Sequence, residues 1–156
     1  MVWITIFMED SQKIDAILGE AKTHALRLMN TAPVEQQTSI GTSRKDISSW
    51  NKQFPETGGV YLIHKKEEGI LYIGKAKNLQ RRICTDHLSR EKRDSMSAFR
   101  RSVHKTYGKL YGKEMREWIF ENCTFSFLEI PDADVRSLVE ALLIVSCRTK
   151  LLLNKP

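Results

Sequence analysis

The stretch that most constrains this chain lies near its middle. Gly59-Val60-Tyr61-Leu62-Ile63-His64 and Ile70-Leu71-Tyr72-Ile73-Gly74 are two short runs rich in β-branched and aromatic residues. Between them, Lys65-Lys66-Glu67-Glu68-Gly69 is charged and ends in glycine. The pattern predicts a β-hairpin with a longer loop. His64 is expected to decorate that loop.

The flanking segments supply what packs on the hairpin. Over residues 11–29, Ile14, Ile17, Leu18, Ala21, Ala25, Leu28 and Met29 recur at helical spacing, with Lys13, Glu20, Lys22 and Arg27 on the other face. This predicts an amphipathic helix packed on the main domain, with Asp10 or Ser11 as its N-cap. The apolar residues 2–8 lack the basic leader of a signal peptide and are expected to form a short strand or an anchor on the core. Residues 30–57, broken by Pro33, Gly41 and Pro55, read as a linker with one helical turn near residues 46–50, anchored by Trp50 and Phe54.

Beyond the hairpin, Asn78 can cap a helix beginning at Leu79. Residues 95–121 read as helical, split at Gly108 and Gly112. Residues 123–130 begin with strand-like alternation and stop at Pro131, and Asp134 is expected to cap a closing helix over about residues 135–147. The fold class expected is α+β: a small, mostly antiparallel three-stranded sheet flanked by helices, with an N-terminal helical extension. Residues 1–57 form that extension. Residues 58–156 form the main domain, with a basic helical insertion at about 88–121.

Composition narrows the class of protein. A chain of 156 residues with 41% hydrophobic and 28% charged residues suits one soluble globular domain. No apolar run approaches the roughly 18 residues of a membrane span, so no membrane partner is expected. Cys84, Cys123 and Cys147 have neither disulfide nor zinc-ligand spacing, and read as reduced core thiols of an intracellular, cytoplasmic protein. The net charge is +6, yet residues 75–116 hold thirteen Lys or Arg against four Asp or Glu. On charge alone, that block is equally a solvated face or a surface that tracks phosphates.

Three features point to chemistry. Tyr61 and Tyr72 sit one on each hairpin strand, near glycines; such pairs usually just stabilise a hairpin, although glycine also permits close backbone approach. Glu140 is the one charged residue between Leu138 and Cys147. A carboxylate on so apolar a helix needs a cation, either a metal or an arginine such as Arg82 or Arg136. Lys75, Lys77, Arg81 and Arg82 crowd a helix N-terminus, where they repel one another unless an anion compensates.

Taken together, these residues resemble the GIY-YIG nuclease family. Gly59-Val60-Tyr61 stands where that family has its first tripeptide, and Tyr72-Ile73-Gly74 matches the second. The run Gly74-Lys75-Ala76-Lys77-Asn78-Leu79 is most similar to the nuclease domain of the bacterial excision-repair subunit that makes the 3′ incision. The family arginine maps onto Arg82, the metal-binding glutamate onto Glu140 and the late asparagine onto Asn154. The resemblance covers about residues 58–156 and implies a GIY-YIG fold with metal-dependent endonuclease activity. One departure stands out: the His or Tyr that follows the arginine by one helical turn would be position 86, which is Asp86, and His87 comes one residue later. Either the helix loosens so that His87 turns in, or Asp86 merely pairs with Arg82.

The resemblance implies a site. Tyr61, Tyr72, Arg82, His87 and Glu140 would be catalytic, with Glu140 the direct protein ligand of Mg²⁺ or Mn²⁺. Tyr61 would orient or deprotonate the attacking water, with His87, Lys75 or metal-bound solvent easing loss of its proton. Lys75, Lys77, Arg81, Arg100, Arg101 and Asn154 would bind substrate, with Asn154 mainly an anchor. The expected partner is double-stranded or branched DNA, cut in a restriction or repair setting, and double-strand cleavage would need a homodimer or sequential nicking. Two rival readings are a degenerate GIY-YIG module that binds nucleic acid without cutting it, and a scaffold that uses the helix at 11–29 as an interaction arm.

Overall fold

The structure, a computed structural model, describes residues 2–34, 44–88, 97–108, 111–148 and 152–154. The hairpin forms as β1, Gly59–Lys65, antiparallel to β2, Gly69–Ala76. Its turn is tight because Glu67 and Gly69 both take positive φ, at 63° and 114°. A third strand, β3, Cys123–Glu129, pairs antiparallel with β1, so the sheet order is β2-β1-β3. His64 thus lies within β1 rather than on the loop, where its Nε2 meets Ser126 Oγ across the sheet at 2.9 Å.

Strand alternation sends side chains to two cores. On one face, Tyr61, Ile63 and Phe125 join Trp50, Phe54, Leu79, Ile83, Phe99, Val103, Met115 and Ile119. On the other, Val60, Leu62, Ile73 and Leu128 meet Ala21, Ala25, Leu28, Val139 and Leu143. The first face is covered by α2 (Arg44–Asn51), a π-helix (Arg81–His87), α3 (Ala98–Tyr107) and α4 (Gly112–Asn122). The second is covered by α5 (Ala133–Ser146) and the C-terminal part of α1 (Val2–Met29). Trp50 and Phe54 anchor the segment before the hairpin, their rings 4.7 Å apart and both buried. The fold is α+β, with a three-stranded antiparallel sheet between helices.

Three local expectations change. Residues 2–8 are helical, because extending the helix already specified by residues 11–29 avoids a new nucleation step, so neither Asp10 nor Ser11 caps it. The α5 cap is Asp132, whose Oδ1 accepts from the N–H groups of Asp134 and Val135 at 2.9 and 2.8 Å. Gly108 ends α3 in the left-handed region at φ 101°, and Gly112 opens α4. Residues 89–96 of the basic insertion lie outside the described residues.

Exposed edges of so small a sheet would invite pairing with other chains. Val34 bridges to Phe125 outside β3, its N–H donating to the Phe125 carbonyl at 2.6 Å. Residues 152–154 lie outside β2, where the Leu153 N–H donates to the Leu71 carbonyl at 2.8 Å.

Candidate active site

The hairpin register puts Tyr61 directly opposite Gly74. A Cβ on Gly74 would come within 2.3 Å of the Tyr61 hydroxyl oxygen and 2.4 Å of Cζ, so the tyrosine ring lies in the space a side chain would fill. Gly59 is tight for a similar reason: its Cβ would meet the Leu128 carbonyl oxygen at 2.4 Å. Both motif glycines serve close packing. Neither has a positive φ.

The Tyr61 ring, almost wholly buried, stacks at 6.4 Å from that of Tyr72, which pairs with Ile63 on the same face. The Tyr61 hydroxyl is 2.6 Å from His87 Nε2. What brings His87 there is the π-helix. Its hydrogen bonds run i→i+5, so the wider turn aligns position 87, not 86, with Arg82. Arg82 also pairs with Asp86, Nη1 to Oδ2 at 3.2 Å, so both outcomes left open by the sequence occur together.

The other side of His87 is closed by Ser97, whose Oγ is 2.7 Å from Nδ1, and by the Phe99 ring at 5.2 Å. Burial first, then the Arg82 and Arg100 charges, push the imidazole down to about 3. His87 is therefore neutral at ordinary pH. Burial also holds the Tyr61 phenol well above 10, reinforced by the nearby Tyr72, and opposed by Arg82. Tyr72 is likewise raised by burial and by Glu140, and lowered by Arg82 and Arg101.

A buried neutral histidine makes stability sensitive to acid. Its folded-state value, about 3, lies below the ordinary 6.5 of an unfolded chain. Its contribution is thus complete above pH 6.5 and is lost as pH falls from there toward 3. Between pH 7.5 and 5 wild type should lose about 2 kcal/mol more stability than His87→Phe, read from urea unfolding at each pH. Equal losses in the two proteins would show that His87 is not buried neutral.

Glu140 projects from α5, and its Oε2 pairs with Lys75 Nζ at 2.8 Å. The partner is neither Arg82 nor Arg136, the arginines considered from sequence. Arg136 instead donates to the carbonyls of Ile130 and Pro131. Lys75 is 43% exposed and Glu140 21%. So open a pair holds weakly, and an incoming cation or phosphate can replace either partner.

Asn154 holds the edge of the site. Its Oδ1 accepts from the Ile73 N–H at 2.7 Å and its Nδ2 donates to the Ile73 carbonyl at 2.6 Å, so the amide stands in for a neighbouring strand. Asn154→Ala should lower stability by about 1–3 kcal/mol, since two backbone groups of Ile73 lose their partners. A urea midpoint unchanged from wild type would contradict that role.

Lys77, Asn78, Arg81, Arg82 and Asp86 line an open cleft of ≈ 310 Å³. Asn78 Oδ1 accepts the Arg81 N–H at 2.7 Å, fixing the turn as its sequence position suggests. Arg101 is exposed on α3, close enough for its charge to act on Tyr72. Arg100 is a correction: it is fully buried, so it does not present its charge to a bound phosphate. Arg100 lies three residues before Val103, so helical spacing puts it beside the buried face of α3, which turns toward the core next to His87.

The hairpin glycines, paired tyrosines and following basic turn can be set beside known proteins. The sequence model of the GIY-YIG catalytic domain matches residues 57–127. The chain carries a GIY-YIG domain. The UvrABC system protein C of Cytophaga hutchinsonii is 31% identical over 81 residues, covering 51% of this chain and 13% of that protein. Those of Borrelia duttonii and Borrelia recurrentis are each 49% identical over 43 residues, covering 26% of this chain and 7% of theirs. The chain thus spans 13% or less of the length of these relatives. A crystal structure of the GIY-YIG N-terminal endonuclease domain of UvrC from Thermotoga maritima, a point mutant bound to its catalytic divalent cation, matches 73% of this chain and 100% of that one, at 23% identity and a TM-score of 0.41.

Within this GIY-YIG domain, Ser97 and Phe99 are the site residues that sequence reading missed. Ten and twelve residues beyond His87, they carry no local signal, and packing of α3 brings them in.

Proposed function

We propose that this GIY-YIG domain is a metal-dependent endonuclease that hydrolyses phosphodiester bonds in DNA. The observation that carries the reading is convergence: Tyr61, Tyr72, Arg82 and Glu140 lie close enough that the Arg82 and Glu140 charges act on both phenols. Residues 58–156 would form the catalytic unit, and residues 1–57 would brace it. The likeness to UvrABC system protein C supports a repair-type role over a restriction-type one.

The donor set suits a hard divalent ion. Among the described residues, no three His, Cys, Asp or Glu side chains cluster. Mg²⁺ or Mn²⁺ tolerates that, because such ions keep several waters and complete their shell with substrate phosphate oxygens. Glu140 would be the protein carboxylate that holds the ion, in place of its pairing with Lys75. Bound there, the ion would supply Lewis-acid stabilisation of the scissile phosphate and its leaving oxygen.

The chain's own residues do the rest. Arg82 would hold non-bridging phosphate oxygens and stabilise charge as it builds up in the transition state. Lys75, released from Glu140, would neutralise the same phosphate. Lys77 and Arg81 would guide the flanking backbone through the cleft, with Arg101 at its α3 side. Asn154 keeps β2, and with it Tyr72, in place.

Tyr61 would orient the attacking water. Burial raises the Tyr61 phenol above its ordinary value and lowers the His87 imidazole to about 3, so both shifts oppose proton transfer from one to the other in the resting site. His87 therefore acts as a hydrogen-bond partner that aims the Tyr61 oxygen, not as a resting base.

The test is incubation of the purified chain with plasmid, branched, nicked and single-stranded substrates, with Mg²⁺, Mn²⁺ or a chelator. Nicking that requires the metal supports the reading. Cleavage insensitive to chelation would overturn it. Salt-sensitive binding without cleavage of any substrate would favour a nucleic-acid-binding module.

A further inference from the structure

We propose that Ser97 is a positioning residue that fixes the tautomer of His87, keeping Nε2 a hydrogen-bond acceptor for the Tyr61 hydroxyl. The inference deepens the function proposed above and rests on it for its catalytic consequence, but its structural part stands on hydrogen-bond geometry.

A neutral imidazole carries one N–H, so one ring nitrogen donates and the other accepts. Both nitrogens of His87 are engaged in a buried setting: Nε2 with the Tyr61 hydroxyl at 2.6 Å and Nδ1 with Ser97 Oγ at 2.7 Å. Tyr61, as a neutral phenol, has one proton to donate. Among the described residues, the hydrogen-bond partner of its hydroxyl is His87 Nε2. Placing that proton toward Nε2 puts the imidazole proton on Nδ1, from which it points at Ser97 Oγ.

Ser97 can receive it. It is the N-cap of α3, and its Oγ already accepts the Arg100 N–H at 3.3 Å. A hydroxyl oxygen has two lone pairs, so Oγ accepts from both Nδ1–H and the Arg100 N–H. A chain of directed bonds results, Tyr61 O–H to His87 Nε2 and His87 Nδ1–H to Ser97 Oγ, ending on a helix cap. The reverse tautomer would direct Nε2–H at the Tyr61 oxygen and leave the phenol proton to seek another acceptor.

The direction matters for the reaction. With its proton turned toward Nε2, the Tyr61 oxygen keeps its lone pairs free to accept a hydrogen bond from an attacking water. With Nε2–H donating to it, the same oxygen has one lone pair occupied and its proton turned outward, where it competes with the water. Ser97 touches neither substrate nor metal. It acts through His87.

Long-range ¹H–¹⁵N spectra of the histidine rings in the full chain test this directly at neutral pH. The expected result is a neutral His87 protonated on Nδ1. In Ser97→Ala the ring should become a tautomer mixture, kcat for nicking should fall about tenfold with KM little changed, and Ser97→Thr should restore both. Ser97→Gly, which helix caps tolerate well, repeats the experiment if the alanine variant does not fold. An Nε2–H tautomer in wild type, or unchanged spectra in the alanine and glycine variants, would overturn the proposal. The spectra need no cleavage, so they test Ser97 even if the chain proves not to be a nuclease.

Discussion

Glu140→Ala is expected to slow plasmid nicking in Mg²⁺ about 10³-fold, a barrier increase of about 4 kcal/mol, while DNA binding stays within a few-fold of wild type. Removing the carboxylate takes away the protein's direct hold on the ion but leaves the cations of the cleft, Lys77, Arg81 and Arg82, in place. The variant also tests catalysis without confounding it with folding. The pair it breaks is partly exposed, and Lys75, 43% exposed, can be solvated by water once its partner is gone. Pairs of this kind contribute roughly 0–1 kcal/mol, so the melting temperature should barely move. Initial nicking rates, a binding titration and a thermal melt on the same preparation separate the possibilities. Wild-type nicking by the alanine variant would remove Glu140 from the mechanism.

Gly74→Ala should damage both stability and activity, although it adds a single methyl group. The new Cβ would lie 2.3 and 2.4 Å from the Tyr61 hydroxyl oxygen and Cζ, so the ring must move. It has little room, since Tyr61 is 2% exposed and packed beside Tyr72 and His87. Overpacking of this kind costs about 1–3 kcal/mol. A shift of the ring also breaks the short contact to His87 Nε2 and misaims the hydroxyl, which should cut nicking by roughly 10²-fold. Urea unfolding and nicking rates measured together check the claim. Wild-type values in both would show that the site is looser than the Tyr61–Gly74 contact implies.

These residues show what a sequence of this kind makes legible. The hairpin is legible because alternation and a charged, glycine-ended loop are local signals. The α1 periodicity, the break at Gly108 and the stop at Pro131 are legible for the same reason. Glu140 stands out because a lone carboxylate in an apolar helix needs a cation, and in the structure that cation is Lys75. Sequence does not single out Lys75 as the partner because it lies on β2, 65 positions away in the chain, and strand-to-helix packing is invisible to periodicity. Arg100 escapes a sequence reading because arginine is almost never fully buried, although its spacing to Val103 puts it beside the buried face of α3.

His87 is the sharpest case. An α-helix rotates successive residues by about 100°, so the sequence could pose the offset between Asp86 and His87 but not resolve it. The choice between an α-turn and a π-turn depends on what the widened helix gains by packing. Here it gains the Tyr61 and Ser97 contacts of a buried imidazole, while Arg82 still reaches Asp86.

Local chemistry written in the chain was therefore enough to specify the α+β class, the Tyr61–Gly74 hairpin and the carboxylate that needs a cation. Contacts between segments far apart in the chain settled the register of His87, the partner of Glu140, the burial of Arg100 and the Ser97 bond. The physical reason is range. Turn chemistry and strand or helix periods act over a few neighbouring residues, whereas hydrogen-bond partners and burial are set by whichever distant segment packs alongside.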